Sequence, residues 1–108
     1  MATGDDLRRI ALSLEGVSEA PHFDRAAFKA ARIFATLAPD GKTANLKFTP
    51  DEQAFKCLLA PDAFAPLPNA WGRQGSTVAQ LSALDEESLR AALEMAWRHA
   101  RFVKRKRK

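Results

Sequence analysis

The chain is poor in cysteine and histidine and has no tyrosine. Its single cysteine, Cys57, excludes an internal disulfide and any multi-cysteine metal site, which favours a reducing compartment, the cytoplasm. Its two histidines, His22 and His99, stand apart, and neither has an acid or a nucleophile at a telling spacing. No apolar run approaches the roughly 20 residues needed to span a bilayer. The opening Met1-Ala2-Thr3-Gly4-Asp5-Asp6 is acidic where an export signal is basic. Paired carboxylates, a Walker-type phosphate loop and metal-ligand spacing are also missing. The expectation is therefore a non-enzymatic, cytoplasmic protein with no cofactor, no metal, no membrane contact and no evident small-molecule substrate.

What is present suits one globular domain. The chain has 108 residues, 46% hydrophobic and 28% charged, enough to build a core without staples. The domain is expected over residues 1–103, with a basic tail over 104–108. The net charge of +4 is concentrated at that end. Residues 101–108 hold six of the seventeen basic side chains, and the remainder sets eleven basic against thirteen acidic ones. The body is thus mildly acidic, so the overall pI says little about a nucleic-acid-binding face on the domain itself.

Periodicity and punctuation predict the elements. Leu7, Ile10, Ala11 and Leu14 give a helix over 4–14, capped by Thr3 and ended by Gly16. Residues 17–23 read as a loop or short extended segment, because Pro21 disfavours helix at Ala20. Strands are predicted over 26–30, 33–37 and 43–48, the last two joined by the turn Pro39-Asp40-Gly41-Lys42. Thr49, Pro50 and Glu52 form a capping box that opens a helix to Leu59, with Phe55, Leu58 and Leu59 as its apolar side. Pro61, Pro66 and Pro68 frame a packed loop. Strands over 69–71 and 76–81 flank Gly72-Arg73-Gln74-Gly75. Asp85 then caps a closing helix with a stripe through Leu89, Leu93, Ala96, Trp97, Ala100 and Val103. The order α-β-β-β-α-β-β-α implies an α+β two-layer sandwich, an antiparallel sheet covered by helices.

Several blocks, in this order, resemble one family: Leu14-Glu15-Gly16-Val17 with Glu19-Ala20-Pro21-His22-Phe23, then Phe28-Lys29 and Ile33-Phe34-Ala35-Thr36-Leu37, then Leu46-Lys47-Phe48-Thr49-Pro50, then Trp71-Gly72-Arg73-Gln74-Gly75, and the stripe through Leu89 and Trp97. The chain thereby resembles the MmcQ/YjbR-like family over about residues 7–103. That resemblance implies a two-layer α/β fold and DNA binding through two hairpins used as wings. Where the family often has a glycine-and-lysine turn in the first hairpin, this chain has Ala30-Ala31-Arg32.

The candidate nucleic-acid-binding residues form three groups. Trp71 with Arg73 and Gln74 sits on the glycine-bracketed loop, where an indole could stack on a base while Arg73 meets a phosphate. The plainer alternative is that Trp71 caps the core and the glycines only serve the turn. Lys29, Arg32, Lys42 and Lys47 lie on or near the first two hairpins and would suit phosphates, unless they merely solvate a sheet face or guard an edge. Arg101, Lys104, Arg105, Lys106, Arg107 and Lys108 would bind a polyanion without reading its sequence, or would only complement a helix dipole. His22 reads as a loop residue, His99 as exposed and Cys57 as a small buried apolar residue. A protein partner is the second expectation, since the family fold also resembles that of small secretion chaperones and the sheet could present an apolar face or edge.

Overall fold

The computed structural model describes residues 1–101. Helix α1 (Gly4–Ser13) opens with a complete capping box, in which the Thr3 hydroxyl accepts from Asp6 N and the Asp6 carboxylate accepts from Thr3 N. Its buried stripe is Leu7, Ile10 and Ala11. Four consecutive strands follow: β1 (Ser18–His22), β2 (Arg25–Lys29), β3 (Ile33–Leu37) and β4 (Thr43–Lys47). Helix α2 (Pro50–Leu59) begins with the predicted box on Thr49 and Glu52. Then come β5 (Phe64–Pro66), the short helix α3 (Ala70–Arg73), β6 (Ser76–Gln80), a 3₁₀ turn (Leu81–Ala83) and the closing helix α4 (Glu86–Ala100). None of the helices among the described residues is long and apolar enough to cross a membrane.

All strand pairs are antiparallel and form one six-stranded sheet in the order β1-β2-β3-β4-β6-β5. Paired residues share a face. The row Leu37, Ala44, Ala79, Phe64 is buried, as is the row Ala35, Leu46, Thr77. Helix α4 lies over β3 and β4 and packs on α1, while α2 lies against β5 and β6. Leu89, Ala92, Leu93 and Ala96 are fully buried and carry α4 onto the sheet. Between these rows, Thr36, Asn45, Val78 and Ala65 form a row on the other face that is neither charged nor strongly apolar. The fold class is the expected one: an antiparallel sheet with helices, α+β.

The structure refines the predicted elements in one place and differs from them in three. Residues 18–22 take the extended alternative and form a strand, because β1 is an edge strand and Pro21 there need not donate into the ladder. The proline-framed segment contains β5, again at an edge. Residues 69–71 are not a strand: the Asn69 carboxamide accepts from Trp71 N at 3.0 Å and Gly72 N at 3.3 Å and starts α3. The order is therefore α-β-β-β-β-α-β-α-β-α. Finally, the predicted apolar side of α2 faces outward, with Phe55, Leu58 and Leu59 exposed and Lys56 buried instead. Val103 and the tail over 104–108 lie outside the described residues.

Candidate functional site

The β2–β3 turn decides where the first group of cations goes. Ala31 N and Arg32 N both donate to the Ala100 carbonyl, at 2.8 and 3.0 Å. The Arg32 guanidinium donates to the His99 carbonyl at 2.6 Å. These bonds satisfy carbonyls that the end of α4 would otherwise leave without partners. They also pin the hairpin turn against the helix. The turn of a hairpin expected to serve as a wing is thus tied to the body.

Beside that turn lies an open concavity of about 700 Å³. Its walls include Lys29 and Arg32 from the first hairpin, Lys47 from the end of β4, Gln74 from the C-cap of α3, and His99 from α4. No lining residue is acidic. Among the described residues, Arg8, Arg9 and Arg98 form ion pairs with carboxylates, whereas Lys29, Arg32 and Lys47 form none. Cations left unneutralised around a hollow give it a positive potential even though the body is mildly acidic overall.

Trp71 adjoins this hollow through Lys47. The indole is 58% exposed, and the Lys47 ammonium stands 5.2 Å from its ring centroid, within reach of a cation–π contact. The loop carrying it is tightly built. The Gln53 amide donates to the carbonyls of Gly72 at 2.8 Å and Ser76 at 2.9 Å. At Gly72 an added Cβ would lie 1.8 Å from the Leu67 carbonyl oxygen. At Gly75 it would lie 2.0 Å from that of Phe48, and φ there is +112°. The glycines serve the turn, as the plainer reading held, but Trp71 does not cap the core.

The other candidates are placed apart from this group. Arg73 is exposed but does not line the concavity. Lys42 sits at the opposite end of β4 from Lys47, roughly 16 Å away along the strand. Arg101 stands 4.9 Å over the ring of Trp97, in a neighbouring recess that also touches Ala31. Lys104, Arg105, Lys106, Arg107 and Lys108 lie outside the described residues.

Sequence reasoning missed the pairing of His99 with Glu52. His99 is not fully exposed: its Nε2 lies 2.7 and 2.9 Å from the two Glu52 carboxylate oxygens and ties α4 to α2 at the rim of the hollow. Glu52 does this while also accepting from Thr49 N at 3.0 Å. The available signal was spacing, since His99 stands three residues after buried Ala96 and next to buried Ala100. Cys57 is partly buried rather than fully so, and burial pushes its thiol pKa up, away from the reactive thiolate. Lys56, beneath α2, is 5.8 Å from the Phe64 ring, and its burial lowers its pKa against the opposing pull of Glu52. Among the described residues no group of acids, histidines and cysteines is arranged to hold a metal ion.

Fold and site together define a small α+β protein with a cation-walled hollow at the junction of its sheet and its closing helix. The YjbR family model matches residues 12–99, and the chain belongs to that family. No curated protein matches the sequence. Among solved structures, the crystal structure of the Deinococcus radiodurans protein DR2400, described with a DUF419 domain, is similar with a TM-score of 0.74 and 22% identity. The likeness covers 90% of this chain and 77% of that one, and it bears on the fold alone.

Proposed function

We propose that the chain is a non-enzymatic DNA-binding protein of the cytoplasm that holds the phosphate backbone in the Lys29–Arg32–Lys47 hollow. The observation that carries this reading is the convergence of those cations, from separate strands and a turn, on one concavity free of acidic walls. Exposed Trp71 beside Lys47, and Gln74 in the wall, add groups that can meet a base. The basic residues after α4 follow directly from its last wall residue, Ala100, and add attraction that does not depend on sequence.

Fluorescence anisotropy with labelled DNA at low salt tests this. The full chain is expected to bind, with affinity falling as salt rises by about 0.9 in logarithmic slope for each duplex phosphate neutralised. Replacing Lys29 and Lys47 together by Gln should weaken binding and lower that slope by about 2. A chain ending at Phe102 should bind more weakly yet still respond to the double substitution. Absence of binding by the full chain, single-stranded DNA included, ends the reading. Binding that vanishes with the tail and ignores Lys29 and Lys47 reduces it to charge attraction.

A second reading, a protein-interaction adaptor, is favoured by the outward apolar face of α2, where Leu58 is 84% and Leu59 66% exposed. The surface in question is this helix rather than the sheet face first expected. Partners recovered on the wild-type chain after nuclease treatment, and lost on Leu58→Glu, would favour it.

A further inference from the structure

We infer that the DNA taken by the concavity is single-stranded, with a phosphate in the hollow and an adjoining base on Trp71. This inference rests on the DNA-binding reading above and narrows its substrate. Duplex recognition through wings needs hairpin tips that project, because a groove is entered by an element standing clear of the body. Neither loop that borders the hollow stands clear, and the exposed β1–β2 tip carries Phe23 and Asp24 rather than a cation. The first is pinned by Ala31, Arg32 and Ala100, and the second is held by Gln53 through the Gly72 and Ser76 carbonyls.

What remains is a hollow beside a stacking platform. The open concavity of about 700 Å³ has room for a nucleotide-sized group. Duplex phosphates lie on a convex cylinder and do not sink into such a hollow one at a time. The indole makes the stronger point. Inside a duplex both faces of a base are covered by its neighbours, so Trp71 can stack only on a base already released from the helix.

Lys47 couples the two halves. It lines the hollow and at the same time stands over the Trp71 ring. A phosphate entering the hollow attracts that ammonium, and the indole face it leaves is then open to the neighbouring base. Every base offers a π-face, so binding of this kind tolerates any sequence and favours flexible, weakly stacked strands.

The test compares a fluorescent oligothymidylate with a mixed-sequence duplex of equal length, both titrated with the full chain at one low salt concentration. The oligothymidylate is expected to bind more tightly and to quench tryptophan emission. That quench should be absent in Trp71→Phe, which leaves Trp97 as the only indole. Trp71→Ala should weaken oligothymidylate binding roughly 5- to 150-fold and leave duplex binding unchanged. Because Trp71 is mostly exposed, thermal melts of both variants should match the parent, and the Phe variant should retain part of the affinity. Duplex binding as tight as or tighter than that of the single strand overturns the inference while leaving the broader reading in place. So does an unchanged oligothymidylate affinity in Trp71→Ala. Failure of both DNAs to bind removes the inference together with the reading it rests on.

Discussion

Gly75 is where single-residue chemistry is least forgiving. With φ at +112° and the Phe48 carbonyl in the space a Cβ would occupy, alanine is excluded both by backbone conformation and by contact. Gly75→Ala is expected to cost at least about 2 kcal/mol, a fall in melting temperature of roughly 10 °C by differential scanning calorimetry. A melt within a degree or two of the parent would contradict the geometry of this turn. The sequence marked Gly75 as a turn residue, but not the Phe48 carbonyl packed against it, because close approach between strands distant in sequence leaves no local trace. His99 was obscured for the same reason. Its neighbours Arg98 and Ala100 suggested an exposed helix position, and only folding brings Glu52 to within 2.7 Å of its ring.

Among the elements, α2 contradicts its own hydrophobic pattern. Phe55, Leu58 and Leu59 mark a face that would normally turn inward, yet polar anchors set the roll of this helix. Glu52 reaches His99, Gln53 bonds two backbone carbonyls, and Lys56 lies against the Phe64 ring. Carbonyls that are partly buried must be satisfied, and losing a bond to them costs about 1–3 kcal/mol. Gln53→Ala should therefore lower stability by about 1–2 kcal/mol, whereas Leu58→Gln should change it by less than about 0.5 kcal/mol. Urea denaturation would rank the two, and the opposite order would mean the helix is rolled the other way. Elements with a clean period and ordinary caps were legible: α1, β3 and β4 match the predicted spans to within a residue, and α4 begins directly after its predicted cap, Asp85. The edge strand β5 was not, and β1 stayed open between loop and strand, because their prolines look like breaks until their place at the sheet margins is known.

For the whole molecule, charge makes stability depend on pH. The carboxyl of Asp6 is held below its ordinary pKa by the Thr3 backbone N–H, with help from Arg9, and that of Asp85 by the Ser88 backbone N–H. A carboxyl whose pKa is lower in the folded state contributes stability above its unfolded value near pH 4, and loses it as pH falls through the folded value. Melting temperature should thus drop on acidification below about pH 4. Asp85→Asn, which keeps an N-cap but cannot titrate, should match the parent at neutral pH and show a shallower acid slope in thermal melts. An equally steep slope would show that the Asp85 cap does not contribute. The cationic hollow itself was only partly readable. Of the candidates read from sequence, Lys29, Arg32, Lys47 and Gln74 meet there, whereas Lys42 and Arg73 do not line it. Convergence depends on strand register and on the pinned turn, and neither is written in a run of charges.

That pinned turn also fixes when the hollow can exist. Its lining comes from residues 29–50, Gln74 and residues 96–100, and the Ala100 carbonyl ties the β2–β3 turn to the helix end. During synthesis the hairpins can pair early, but the N–H groups of Ala31 and Arg32 have no carbonyl to meet until residue 100 has cleared the ribosome. A nascent chain short of that point has its cations without the helix end that gathers them, so the hollow arrives with the completed helix and not before.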